Sequence, residues 1–334
     1  MMALPHVILT ISSKLVDKTN FVDNCRGTMR KLVLFGMVGV LAQLIDGALG
    51  MAYGLTSTTL LVAVGTAPAA ASATVHLAEL GTTAVSGISH WRFGNVDWRT
   101  VRMMTFPGFI GAFLGAVVLS SISGDTARPW VAVILSVLGV YVLFRFLGTV
   151  RGPRRSRASR PLAAGLLAPL GLGAGFLDAV GGGGWGPVGT PTLLASGRLE
   201  PRKVIGSVDA GEFLVALGAS VGFLVSLTWK EVPPAMVLLL LSGGLVAAPL
   251  AAYLVRRLSP RKLGVVVGAA ILLTNTRTLA GTFGIDGSWR AALYLAIVAV
   301  VGVLAAWRLS QSRQRRRAKA VAATAQPVPE PVGA

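Results

Sequence analysis

The sequence predicts an all-α membrane protein: two homologous, inverted repeats, each a broken or re-entrant helix plus three transmembrane helices, with one extra C-terminal span. Three observations carry that prediction. Of 334 residues, 53% are hydrophobic and only 13% charged, with a mean hydropathy of +0.70, whereas soluble proteins carry roughly 25% charged residues. The apolar residues fall in runs long enough to cross a bilayer, about 20 residues each. Finally, a pattern of Asp, Gly, aromatic and Thr residues recurs in the two halves at a nearly constant offset.

Residues 1–30 form a mixed polar leader, expected to be disordered. Its apolar stretch is shorter than the ~7 to 15 residues of a signal-peptide core. Because Met29 sits just before the first basic pair and apolar run, one reading is that translation begins there. The first transmembrane repeat is read over 31–148. It opens with an apolar region, 32–63, interrupted between Asp46 and Gly54. An unbroken helix of that length would extend about 48 Å, well beyond a ~30 Å hydrocarbon core, so it must break. Spans follow near 68–91, 101–122 and 130–147.

A basic linker, 149–161, leads to the second repeat, 162–284. There a glycine-broken segment, 162–196, precedes spans near 204–227, 235–255 and 263–283. The last helix is placed at 285–308, and the tail, 309–334, is expected to be disordered.

The net charge of +18 does not argue for nucleic acid, because Lys and Arg gather in clusters at span ends, as the positive-inside rule requires. Taking those clusters as cytoplasmic makes every complete span alternate correctly. The second broken segment then starts and ends in the cytoplasm and must be a hairpin, while its first-half counterpart enters from outside. The protein is thus expected to be multi-pass in the cell (plasma or inner) membrane, with the linker and tail cytoplasmic. The leader's basic residues run against this orientation unless Met29 is the start or the first broken segment crosses fully. Cys25 is the only cysteine, which excludes disulfides within the chain and Cys-pair redox chemistry.

The repeated pattern reads Asp46, Gly50, Tyr53, Gly54 and Thr58 in the first half, and Asp178, Gly182, Trp185, Gly186 and Thr190 in the second. His76 and Glu79 likewise correspond to Asp209 and Glu212, and Arg145 to Arg277. The run Gly181, Gly182, Gly183, Gly184, Trp185, Gly186, Pro187 cannot stay regular helix in lipid unless neighbours satisfy its backbone, so it should face protein or a cavity. The helix that restarts after each break offers free N–H groups to an anion. Candidate substrate-binding residues are therefore Gly54, Thr56, Ser57 and Thr58 at the first break. At the second they are Gly182, Gly183, Gly184, Trp185, Gly186, Thr190 and Thr192, with Arg277 as a charge partner. Against this stand close helix packing for the glycines and back-bonding to the helix for the threonines.

Asp46, His76, Glu79, Asp178, Asp209 and Glu212 fall within or beside apolar runs, where an ionised group costs about 2.5 to 3.5 kcal/mol on insertion scales. They are candidates for a pathway or for carrying protons, with Glu79 and Glu212 foremost; structural capping is the plainer reading of the two aspartates. His76 and Glu79 share a helix face, but no second ligand pair accompanies them, so neither a metal nor another cofactor is expected.

The run from Gly175 through Asp178, the glycines 181–184, Trp185, Gly186 and Pro187 to Thr190, Pro191 and Thr192 resembles the sulfite exporter TauE/SafE family of membrane permeases. The resemblance extends over about 32–307 and includes Asp209 and Glu212 downstream. It implies a duplicated helical bundle moving sulfite, sulfonates or other small sulfur-containing anions, mostly outward. The first-half motif departs from the glycine run, with Leu49, Met51 and Ala52 where the second half has Gly181, Gly183 and Gly184.

The expected function is a secondary transporter, an exporter of a small sulfur-containing anion such as sulfite or an organosulfonate, held between the broken-helix N-termini near the midplane and driven by protons or by the membrane potential. The alternatives are an anion channel and an intramembrane enzyme; the latter is disfavoured because neither a Gly-x-Ser-x-Gly turn nor a His-Glu-x-x-His motif is present. The expected partners are the anion and the lipid bilayer. Oligomeric state stays open, a homodimer included.

Overall fold

The structure, a computed structural model, describes residues 33–46, 51–147, 162–254 and 260–324. The leader with Met29 and Cys25, the linker 149–161, Gly47, Leu49, Gly50 and the last ten residues lie outside the described residues. All regular structure among the described residues is helical.

In chain order the helices are α1 (Val33–Asp46), α2 (Tyr53–Ala63), α3 (Pro68–Arg92), α4 (Trp98–Ser121) and α5 (Gly124–Phe146). Then come α6 (Ala164–Gly181), α7 (Trp185–Ser196), α8 (Pro201–Ser226), α9 (Pro234–Leu254), α10 (Pro260–Thr282) and α11 (Gly287–Thr324). The α1–α2 and α6–α7 pairs are the two broken segments. By length and composition, α4, α5, α6 and most of α8, α10 and α11 can cross a membrane. α3 is as long, but Ser72, Thr74, His76 and Glu79 make it less apolar.

The helices start where capping chemistry allows. Asp97 accepts hydrogen bonds from the N–H groups of Arg99 and Thr100 and so begins α4. Ser123 begins α5, earlier than the apolar run alone indicated, because the first turns carry Asp125 and Arg128. A larger difference appears at the C-terminus: residues 309–324, expected to be disordered, continue α11 as helix. Alanine, arginine, lysine and glutamine dominate that stretch, and all are strong helix formers.

Neighbouring helices approach through small residues. α6 runs alongside α4 in the same direction: Gly171 meets the backbone of Met104, Gly175 that of Gly108, and Ala179 approaches Gly115. The Met104 side chain also touches Gly189 of α7. The chain therefore climbs α6, turns at the glycine run and comes back along α7. α3 runs antiparallel to α8, since the His76 ring lies 6.1 Å from that of Phe223 while Gly87 meets Ala210. α5 and α10 are antiparallel as well, with Gly139 against Ile271 and Phe146 against Gly264.

The first broken segment doubles back too. Phe35 at the start of α1 and Val64 after α2 line one cavity of about 460 Å³, together with Ile122, Gly124 and Leu227 from two other turns. The second broken segment opens at the other end of the bundle, where Asn95 in the α3–α4 turn packs on Gly206 near the start of α8.

Candidate functional site at the meeting of two broken helices

Each restarted helix is capped by the aspartate that precedes its break. Asp46 Oδ1 accepts from the N–H groups of Ala52 at 2.7 Å and Tyr53 at 3.1 Å. Asp178 Oδ1 accepts from those of Gly184 at 2.6 Å and Trp185 at 2.9 Å. Two of the donors expected to await an anion at each helix end are thus taken by a carboxylate of the chain itself. The first-turn donors left unclaimed by carboxylates are those of Gly54, Leu55 and Gly186; Pro187, in the first turn of α7, has none.

The breaks also touch. Gly182 has φ +67°, the left-handed conformation that glycine adopts without penalty, and this turns its carbonyl toward the first break. A Cβ at Gly54 would lie 2.4 Å from that oxygen, and one at Gly183 would lie 2.1 Å from Leu55 N. Thr58 Oγ1 donates to Gly182 O at 3.2 Å and ties the breaks together. The sequence reading expected an anion cradled between the two N-termini; instead backbone meets backbone there, leaving no anion-sized gap between Gly54 and Gly182–Gly183.

Around this contact lie the polar groups of α3 and α8. On α3, Ser72, His76, Glu79, Thr83, Ser86 and His90 recur every three or four residues and so form one stripe. His76 is fully buried and faces Asp178, with Nε2 3.2 Å from Oδ2. Its Nδ1 lies 2.8 Å from Ser72 O. A carbonyl only accepts, so Nδ1 is the donor there, which leaves Nε2 facing the Asp178 carboxylate. Ser72 Oγ donates to Ala179 O at 2.6 Å and fastens α3 to α6. Further along the stripe, Ser86 Oγ donates to Asp209 Oδ2 at 2.5 Å, and His90 Nε2 stands 3.8 Å from the same oxygen.

Glu79 and Glu212 differ from the aspartates: among the described residues nothing donates a hydrogen bond to either side chain. A Cβ at Gly54 would come within 2.7 Å of Glu79 Oε1, which places that carboxylate against the first break. The charge of Glu212 acts together with those of Glu79, Asp209, Asp178 and Asp46. Five carboxylates are therefore gathered where the halves meet, with His76 and His90 as the basic groups beside them.

The remaining candidates divide. Thr56 and Ser57 are buried, and their hydroxyls lack partners. Thr190 and Gly186 are buried within the first turns of α7. Thr192 bonds back to Val188 O at 2.7 Å, the plainer reading of that residue. Trp185 is buried and donates from Nε1 to Val208 O at 2.8 Å, so it holds α7 to α8. Arg277 is not at the breaks: it lines a cleft with Val62 and Ala63, beyond the far end of α2. Among the described residues, no group of three or more His, Cys, Asp or Glu side chains is placed to hold a metal ion.

Sequence reasoning missed Ser72 and Ser86. The three-and-four spacing along α3 was the available signal, visible once His76 and Glu79 are extended in both directions.

Comparison with known proteins finds two matches. The family model described as sulfite exporter TauE/SafE matches residues 35–278. A Bacillus subtilis (strain 168) protein named "Probable membrane transporter protein YtnM" is 52% identical over 272 residues, 81% of this chain and 90% of that protein. No solved structure matches the chain.

Proposed function

Because the chain belongs to the sulfite exporter TauE/SafE family, a family of membrane transporters rather than enzymes, we propose that it is a secondary transporter exporting a small sulfur-containing oxyanion, such as sulfite or an organosulfonate, in exchange with or together with protons. The observation that carries this reading is the contact of the two breaks at Gly54 and Gly182–Gly183, with Glu79 pressed against it. Broken helices meeting at the interface of two halves are where secondary transporters bind their cargo.

The two halves are read as inverted repeats. The corresponding helices α3 and α8, and likewise α5 and α10, run antiparallel, and the two broken segments open toward opposite ends of the bundle. With the linker and tail on the cytoplasmic side of the cell membrane, α1–α2 enters from outside and α6–α7 from inside.

The described conformation is closed at the breaks, so cargo moves only when they part. Parting would expose the N–H groups of Gly54, Leu55 and Gly186 beside the unpartnered hydroxyls of Thr56 and Ser57, a set of donors suited to an oxyanion. An anion entering a cluster of five carboxylates is repelled while they are charged, and in a low-dielectric interior that repulsion is large. Asp46, Asp178 and Asp209 each accept hydrogen bonds from fixed donors. Glu79 and Glu212 have none, and they are the groups assigned to exchange protons as the anion passes.

The test is flux of sulfite, thiosulfate, sulfate and short sulfonates in proteoliposomes, with and without a pH gradient. Saturable flux of at least one, accelerated by the gradient, is expected. Transport of none of them rules out the anion assignment.

A further inference from the structure

A second cleft, about 420 Å³, opens at the end of the bundle opposite the α3–α4 turn and is lined by Asp125 and Arg128 of α5 and by Thr274, Arg277 and Thr278 of α10. Two guanidinium groups from different helices converge on it. Arg128 Nε is buried without a partner, and among the described residues neither arginine makes a hydrogen bond or an ion pair. Asp125 lines the same cleft without coming within ion-pair distance of either, so positive charge is in excess there. Arg145, at the position corresponding to Arg277, is answered differently: it donates to the Tyr141 hydroxyl at 3.1 Å.

A lone arginine near a helix end ordinarily extends toward water or headgroups, or toward helix C-terminal carbonyls. Arg277 is exposed and open to such surroundings, but Arg128 is covered by neither account. Arg128 keeps a buried, unsatisfied N–H, which carries a desolvation cost unless a ligand fills it, and neither side chain donates to the carbonyls at the end of α2. A guanidinium presents its N–H groups as a planar fork that matches the oxygens of sulfonate, sulfite or phosphate.

We infer that Arg128 and Arg277 together form an oxyanion-binding site at the mouth of the bundle, separate from the meeting of the breaks. The site takes a group with several terminal oxygens, whether on a free solute or on a lipid headgroup. As an entry or exit station for cargo it rests on the anion reading of the transporter, and the test separates the two.

The probe is radiolabelled methanesulfonate. Its binding is measured on the full chain in detergent supplemented with phosphatidylcholine, and its transport in vesicles of phosphatidylcholine with and without phosphatidylglycerol. Arg128→Gln and Arg277→Gln are each expected to weaken binding by about tenfold, the scale of one charged hydrogen bond. KM should rise in step, with kcat changed less than about twofold, as expected for loss of uniform binding. Arg277→Lys, which keeps the charge but not the fork, should recover part of the loss and guards against a mere folding defect. A KM that is the same in both lipid mixtures identifies the free solute as occupant; one that rises with phosphatidylglycerol identifies a competing headgroup on the same site. Unchanged binding and KM in both glutamine variants overturns the site while leaving the transport reading intact. Arginine-dependent binding without any transport has the reverse meaning.

Discussion

At the second break Asp178 sits against His76, with Nε2 3.2 Å from its carboxylate; at the first, Asp46 has its two backbone donors and, among the described residues, no basic side chain. The charged groups around Asp46 are other carboxylates, among them Asp209, which occupies the position corresponding to His76. One cap is thus paired with a side chain from the opposite half, and the other stands in an acidic setting. If the breaks part as proposed, the second, held by that pair, is the fixed partner and the first the one that moves. The glycines follow the same division, since the sharp left-handed turn at Gly182 belongs to the second break, while Met51 and Ala52 replace glycine at the first.

Removing each cap breaks the comparison most forcefully. Asp178→Ala leaves His76 and two N–H groups without their acceptor in a buried site, and should cost about 3–5 kcal/mol, as for a broken buried pair. Asp46→Ala loses only a helix cap, worth about 0.5–2 kcal/mol. Thermal melting of the purified variants in detergent checks the order; equal losses would mean that His76 adds nothing to the second cap.

Wedging the contact apart comes next. Gly54→Ala and Gly183→Ala place a methyl group into the opposing backbone, and each should cut transport by tenfold or more, roughly the effect of a small misplacement at a working site. Gly173→Ala, with open space around its Cβ position, serves as the control and should transport normally.

The hydroxyls provide the finest discrimination. Thr56→Val and Ser57→Ala remove unpartnered hydroxyls and should raise KM severalfold, about one hydrogen bond's worth. Thr192→Val removes one already bonded to its own helix and should leave KM near the wild-type value. If Thr192→Val proved the more damaging, the donor set would have to be moved into α7.

The breaks themselves were legible in the sequence, because glycine runs and an aspartate inside an apolar stretch have few explanations in a membrane. Their chemistry was less so. That Asp46 and Asp178 turn back onto the helices they precede depends on the turn geometry, which residue spacing alone does not specify. Arg277 illustrates a different limit: its place in an apolar run says that it is unusual but not how deep it sits, and it lies at the mouth of the bundle. The α3 stripe could have been read in full, since its spacing is regular, but only α8 packing against it gives Ser86 and His90 their partner in Asp209. The helical continuation to Thr324 was hidden by the tail's polarity, which does not oppose helix where alanine and arginine dominate.

The central claim is that anion movement through the parted breaks is tied to proton exchange at Glu79 and Glu212. It is tested most directly by recording labelled methanesulfonate flux and internal pH together in the same proteoliposomes. Methanesulfonate suits this because it stays fully ionised and cannot itself carry a proton. The account predicts a pH change in step with anion flux, absent in both Glu79→Gln and Glu212→Gln even where some anion movement remains. Full anion flux with no accompanying pH change in the wild-type protein would contradict it.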